Sequence, residues 1–356
     1  MIRQSWWKIL AVLLLVYTFV AGLLVPLKPG IAEVSPRAFK AGSEVEMTVT
    51  GYNSMYSKAK NDLNAWLKLS GENAKDERVL KASSIQVIND RTLKLAFKLP
   101  EYLPSESKDD VCSLILDSPV DGAIVLPEGI ALTQDSVNFQ EGLDLWSVDK
   151  IIHLNVNSGL TFPYRSVLYE TIRNQYYHVP LWFAMLFLFL FSVGFSVRYL
   201  RTFDADADHR TLALNRAGFA FGILGLITGA IWAKYTWGAY WSWDVKQNMT
   251  AVALLIYAAY FILRGAFQDE EKKARLSAVY NIFAFAALIP LIFVIPRLTD
   301  SLHPGNGGNP AFGKDDLDNT MRMVFYPAGI GWTLLGFWIA AIAYRIEKLQ
   351  SKLLDA

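Results

Sequence analysis

Six stretches of this chain are apolar over a length close to what a helix needs to cross a bilayer. That length is about 20 residues at a rise of about 1.5 Å each, set by a hydrocarbon core about 30 Å thick. The stretches run near Ile9–Leu27, Leu181–Val197, Ala217–Ala233, Thr250–Leu263, Ala278–Pro296 and Val324–Tyr344. The fourth is short and borrows from the residues before it. Arg3 and Lys8 precede the first run, as in a signal peptide. No small-x-small cleavage site follows and the run is long, so it is expected as a retained helix. The chain therefore reads as an α-helical polytopic membrane protein with six transmembrane helices.

Composition narrows the class further. Of 356 residues, 53% are hydrophobic and 19% charged, which excludes a disordered chain and a highly charged nucleic-acid binder. The net charge of +1 gives no electrostatic reason for an acidic partner. A single cysteine, Cys112, excludes an internal disulfide framework, a Cys₄ zinc site and a Cys-x-x-Cys redox pair, and reads as a core residue.

Lys and Arg in the short connections set the orientation. Arg198, Arg201, Arg210 and Arg216 fall in one connection, Arg264, Lys272, Lys273 and Arg275 in another, and Arg345, Lys348 and Lys352 in the tail. The alternate connections hold only Lys234 and Lys246, then Arg297, Lys314 and Arg322. This bias puts both termini in the cytoplasm and residues 28–178 outside.

Much of that outer segment alternates polar and apolar positions, as half-buried strands do: Glu44–Gly51, Ser84–Val87, Arg91–Lys98 and Lys150–Asn155. Turn signals stand at Asn89-Asp90, Ser118-Pro119, Asp121-Gly122 and Pro127-Glu128-Gly129. A β-sandwich-like domain inserted after the first helix is expected. Its opening, Gly30–Gly51, resembles the first strands of IPT/TIG-type immunoglobulin-like domains over about 20 residues. Val167, Leu168, Ile172, Tyr176 and Tyr177 share one side of a helix, so Tyr164–Tyr177 reads as amphipathic. The expected division is a first transmembrane helix at 1–27, the periplasmic β domain at 28–162, and an interfacial helix at 163–178. A five-helix membrane domain at 179–345, with a tryptophan-rich loop at 237–250, and a cytoplasmic tail at 346–356 complete it.

The chemistry concentrates in Trp237-Gly238-Ala239-Tyr240-Trp241-Ser242-Trp243-Asp244, four aromatics in seven residues of an outer loop. An aromatic belt accounts for Trp and Tyr at an interface. It does not require this clustering, whereas indole faces stack on planar ligands and Gly lets backbone approach closely. His178 opens the second span and His303 follows the fifth, both on the face of this loop by the parity of the spans. Each alone reads as a solvated interface residue. Together with the indoles they suit axial ligation of haem iron by neutral imidazoles. His153 reads as a strand residue. His209 reads as part of a solvated inner loop in which Asp208 caps the next helix.

The loop resembles the Trp-Gly-x-x-Trp-x-Trp-Asp ("WWD") signature of the haem-handling proteins of cytochrome c maturation. His178 in Tyr-His-Val-Pro and His303 in Ser-Leu-His resemble the two histidines of the CcmC branch. The likeness covers roughly Leu168–Tyr344 and the first span. It implies a haem-binding protein rather than an enzyme. His178 and His303 would be axial ligands of a transiently bound haem b, held by Trp237, Gly238, Tyr240, Trp241, Trp243 and Asp244. Asp244 would orient the loop or hydrogen-bond within it. Arg173, five residues before the first histidine, and Lys246, two after Asp244, match cationic positions of the family and suit the anionic propionates; interfacial snorkelling is the alternative for each. The implied partners are a CcmE-type haem chaperone, the CcmA–CcmB ATPase and a CcmD-type small membrane protein in the lipid bilayer, with no nucleic acid. Asn248 stands where the family usually has Thr. The wording of residues 240–243 also resembles the CcsA-type cytochrome c synthases. The β domain is larger than the branch's short first loop, and partner docking is its expected role.

Overall fold

The computed structural model describes residues 2–59, 62–69, 78–146, 151, 153–157, 159–303 and 317–354. Contacts divide the chain into two units, Pro26–Tyr169, and Met1–Val25 with Glu170–Ala356.

In the first unit, β1 (Gly30–Ser35), β3 (Glu44–Tyr52), β7 (Thr92–Lys98) and β6 (Ser84–Asn89) form an antiparallel sheet in that order. A second sheet orders β2 (Ala38–Lys40), β9 (Gly122–Thr133), β8 (Asp109–Ser118), β4 (Asn64–Leu69) and β5 (Val79–Lys81), with β2 parallel to β9. Alternating side chains of both sheets, among them Met47, Val49, Leu95, Phe97, Leu67, Leu114 and Leu132, meet in one buried core that includes Cys112. Short helices α2 (Tyr56–Ala59) and α3 (Phe139–Leu145) flank the strands. The β-sandwich expectation is thus met by two stacked sheets.

Two local expectations change. Pro127-Glu128-Gly129 is not a turn but a bulge inside β9, where Glu128 takes φ 49° and its N–H donates to Ser113 Oγ. The described residues of Lys150–Asn155 form no strand. Asn155 instead pairs with Asp117 through backbone and side-chain N–H, each at 2.9 Å. Lys150 and Ile152 lie outside the described residues, as does Lys314.

Among the described residues, the second unit contains six helices long and apolar enough to cross a membrane. They are α1 (Ile2–Leu24), α4 (His178–Thr202), α5 (Ala205–Trp237), α6 (Val245–Gly265), α7 (Glu270–Ile289) with its continuation, and α9 (Asn319–Leu354). Pro290 lacks an N–H to donate, and α7 passes there into a wide π-helical turn, Pro290–Val294, then α8 (Ile295–Leu298). The fourth span does borrow: α6 begins five residues before Thr250. The segment expected as an amphipathic helix is a 3₁₀-helix over Tyr169–Tyr176, with Ile172 and Tyr176 buried and Val167 exposed.

Asp204, not Asp208, caps α5, accepting from the Asp206 N–H at 3.0 Å. The helix thus starts earlier than expected and takes in His209, half-buried in its second turn. Asp208 forms a buried bidentate pair with Arg264 of α6.

Within the bundle, the Asn281 amide of α7 donates to Ser192 and Ser196 of α4 at 2.9 Å each and accepts from Asn215 of α5 at 3.0 Å. In lipid these groups have no water to turn to, so the network ties three helices together. Asn281→Leu removes the partner of the Asn215 amide N–H and of the Ser196 hydroxyl, while Ser192 keeps its bond to the Phe189 carbonyl. It is expected to cost about 1–2 kcal/mol, read as a lowered melting temperature in detergent.

Candidate functional site

The site is built on the C-terminal end of α5. Gly218, Gly222, Gly225 and Gly229 are spaced four, three and four apart, so they share one face of that helix. Phe189, Met185, Trp182 and His178 of α4 lie against them in turn. A Cβ at Gly225 would stand 2.8 Å from the Trp182 ring, and one at Gly229 would stand 2.7 Å from His178 Cε1. Small residues let the two backbones approach, as helices in membranes commonly require. His178 is the first residue of α4 and so reaches the neighbouring helix at its last turns.

Hydrogen bonds fix the state of that imidazole. Thr228 Oγ lies 2.9 Å from the Leu224 carbonyl and 3.0 Å from that of Gly225, to which it donates its single proton. It must therefore accept from His178 Nδ1–H, at 3.0 Å. Nε2 keeps its lone pair, and the Trp182 indole N–H donates to it at 3.2 Å.

His303 belongs to the segment after α8 and meets α5 one turn further out. Its ring lies 4.6 Å from Trp237, edge to face, and 5.8 Å from Trp232. Gly229 and Trp232 are three residues apart, about 4.5 Å along the helix. The two imidazoles are thereby brought to neighbouring turns of one helix, at the end that carries the tryptophan-rich loop.

Asp244 holds the second histidine. Its side chain accepts from the Lys246 N–H at 2.8 Å and so caps α6. It also accepts from Ser301 Oγ at 3.1 Å, the Leu302 N–H at 2.8 Å and His303 Nδ1–H at 2.9 Å. Burial alone would raise its pKa. These donors, with the His303 ring, outweigh burial and hold the carboxyl below the usual carboxylate range. Burial lowers the pKa of His303, with Asp244 opposing in part, which favours the neutral ring. An ionised carboxylate only accepts, so His303 also carries its proton on Nδ1 and presents Nε2. The two sequence options for Asp244 are both realised, and it joins the loop to the second histidine as well.

The loop between α5 and α6 is held by side chains. Gly238 ends α5 in the left-handed region at φ 86°. Gln247, buried, accepts from the Ser242 N–H and hydroxyl at 2.9 and 3.1 Å and donates to the Tyr240 carbonyl. Trp243 takes φ 59°, and the Asn248 amide donates to its carbonyl at 2.7 Å. A non-glycine residue there costs about 1–2 kcal/mol, and 79% of Trp243 is exposed. The loop aromatics fall into two groups. Trp237 joins Trp232 and His303, while Trp241 and Trp243 meet edge to face at 6.4 Å. Tyr240 is exposed beneath the Lys234 ammonium. Arg173 donates to the Gly22 and Val25 carbonyls at the end of α1, at 2.8 and 2.7 Å, and pairs with Glu170. Lys246 lies in the first turn of α6, and its backbone N–H is the cap donor.

Sequence reasoning missed Thr228, Trp182, Trp232 and Gln247. Trp182 stands four residues from His178 and Trp232 five from Trp237, which is the available signal. Nothing local marks Thr228 or Gln247.

The profile of the family described as Heme exporter protein C, CcmC, matches residues 151–355. The chain belongs to this family. The match begins at residue 151, near the end of the unit Pro26–Tyr169, so it takes in none of the strands and does not extend to α1. A "Heme exporter protein C" of Bradyrhizobium diazoefficiens is 28% identical over 187 residues, 51% of this chain and 68% of that protein. The protein of the same name in Escherichia coli K12 is 24% identical over 148 residues, 42% of this chain and 56% of that one. A "Cytochrome c biogenesis protein CcsA" of Prochlorococcus marinus is 36% identical over 88 residues, 24% of this chain and 27% of its own length. The chain thus spans between about half and two thirds of the heme exporter relatives.

Replacing Asp244 by Ala removes the α6 cap and three restraints on residues 301–303. It is expected to destabilise the protein by about 2 kcal/mol, one for the cap and the rest for unpaired donors. Amide exchange at Leu302 is expected to rise in parallel, while the Asn281 network stays protected.

Proposed function

We propose that this membrane protein handles haem for cytochrome c maturation. It holds haem b at the outer face of the bacterial inner membrane and delivers it to a CcmE-type chaperone. The observation that carries this reading is the matched state of the two imidazoles. Each has its Nδ1–H committed, to Thr228 and to Asp244, so each offers Nε2 as an iron ligand. They stand against neighbouring turns of α5, His178 at Gly229 and His303 beside Trp232 and Trp237.

In this reading His178 and His303 ligate the iron. Trp237, Gly238, Tyr240, Trp241 and Trp243 contact the porphyrin, and Asp244 sets the loop. Lys246 and Arg173 face the propionates, with Arg173 also tying down the end of α1. The half-exposed position of the loop suits cargo that must leave again. Both termini lie in the cytoplasm and residues 28–178 in the periplasm, in keeping with the Lys and Arg bias. The CcmA–CcmB ATPase and a CcmD-type subunit complete the system.

The test is the absorption spectrum of the protein purified in detergent. A bis-imidazole haem spectrum is expected in the wild type and its loss in the His178→Ala, His303→Ala double variant; persistence of the band refutes the ligand assignment. Asp244→Asn is expected to weaken haem binding about 10- to 100-fold, the usual effect of losing an outer partner of a ligating histidine.

The likeness to a CcsA protein favours a second reading, a synthase that attaches haem to apocytochrome. Coexpression with an apocytochrome bearing Cys-x-x-Cys-His, and no other maturation factor, separates the two. No mature cytochrome is expected, and holocytochrome would favour the synthase.

A further inference from the structure

The Trp182 indole N–H occupies the nitrogen through which His178 would bind iron. The bond runs from Trp182 Nε1 to His178 Nε2 at 3.2 Å, one helical turn along α4. The two rings stand nearly perpendicular, at 83°, so the N–H points at the ring nitrogen rather than stacking on it. The position of the indole is enforced from behind, because Gly225 leaves room for it and a Cβ there would stand 2.8 Å from its ring. The other nitrogen of His178 is held by Thr228 at 3.0 Å, so the imidazole keeps its orientation whichever partner takes Nε2.

We propose that Trp182 is a latch for the exchange of cargo at His178, a role that rests on the haem reading above. The imidazole has one lone pair on Nε2, and the indole proton and a haem iron compete for it. Loading breaks the N–H···N bond as the iron–nitrogen bond forms. Unloading returns the lone pair to the indole proton. No proton or electron is transferred, since both nitrogens keep their protonation state. Without the latch, a departing iron leaves a half-buried imidazole nitrogen unpaired in a low-dielectric site, which opposes release. With it, the nitrogen is satisfied in both states, so release is faster and affinity lower. Among the described residues, the ring contacts of His303 are the indoles of Trp232 and Trp237, which meet it as ring packing rather than through an N–H.

The experiment compares the full-length wild type, Trp182→Phe and Gly225→Ala in detergent. Phe keeps a ring against α5 but has no N–H, and the Ala methyl displaces the indole while leaving it in the chain. Two quantities are read: the nitrogen resonances of ¹⁵N-histidine-labelled protein without haem, and the rate at which loaded protein gives up haem to apomyoglobin. Both variants are expected to move the His178 Nε2 resonance and to slow release by about 2- to 12-fold, the worth of one neutral hydrogen bond. If neither variant moves the resonance, the hydrogen bond does not exist in solution and the latch is refuted while the haem reading stands. If the resonance moves but release is unchanged or faster, the bond exists and does not act as a latch. A wild type that takes up no haem removes the haem reading, and the latch with it, whatever the resonance does.

Discussion

Everything in the site is referred to the closeness of α4 and α5. Van der Waals contact between helices in a membrane gains little from expelling lipid, so it depends on how near the backbones can come. The glycine face of α5 permits that approach, and side chains of α4 fill it turn by turn. One consequence is that His178 does not choose its own position. It is the last of four residues docked along the same stripe, and its Nδ1 falls within reach of a Thr228 hydroxyl already committed as a donor. The same helix continues two turns to Trp237, so its end also supplies the wall against which His303 rests. One rigid element therefore locates both imidazoles, although they belong to segments 125 positions apart in the sequence.

The loop that completes the site is held differently. Tyr240 and Trp243 are exposed and Trp237 and Trp241 half-buried, so burial does little to order it. Gln247, Asn248 and Asp244 order it through its backbone, each from the first turn of α6. A cap and two side-chain bonds of about 1 kcal/mol apiece are enough to offset the left-handed backbone at Trp243, which costs about 1–2 kcal/mol. The result is a loop with a defined path and accessible rings. Such a surface can contact a planar ligand without sealing it in a core. Asn248 does this work with an amide at the position where the family resemblance leads one to expect Thr, so the departure preserves a polar contact to the loop.

The spans were legible because a bilayer imposes a length and an apolar composition that no tertiary context overrides. Their ends were less so, since caps such as Asp204 and Asp269 extend the helices into polar sequence. The strands with strict alternation, β3, β6 and β7, were readable. β4, β8 and β9 were not singled out, because β8 ends in a continuous buried run and β9 is interrupted by the bulge at Glu128. At the site, the aromatic loop and the two histidines stood out by residue type and by which face of the membrane they share. What holds them did not. Thr228 looks like any hydroxyl in an apolar helix, and its role depends on a helix pairing that no local pattern encodes. Gln247 is likewise ordinary until the loop folds back over it. Arg173 stands at a cationic position that the family resemblance implies, and its bonds to the end of α1 depend on a contact across some 150 residues.

The two histidines share a tautomer but not a partner, and the difference has a direction. A carboxylate on Nδ1–H raises the basicity of the imidazole and strengthens it as a metal ligand, whereas a hydroxyl does so far less. Asp244 is ionised and nearly inaccessible, with its side chain 2% exposed, so its hold on His303 is little screened. Within the proposed haem reading this makes the pair unequal. His303 is the anchoring ligand, fixed by the residue that also caps α6. His178 is the weaker one, with a competing donor beside its free nitrogen. A carrier needs that inequality. Two strong ligands would retain the iron and two weak ones would lose it before a partner arrived, whereas one of each lets the iron open on a chosen side while the porphyrin stays tethered on the other.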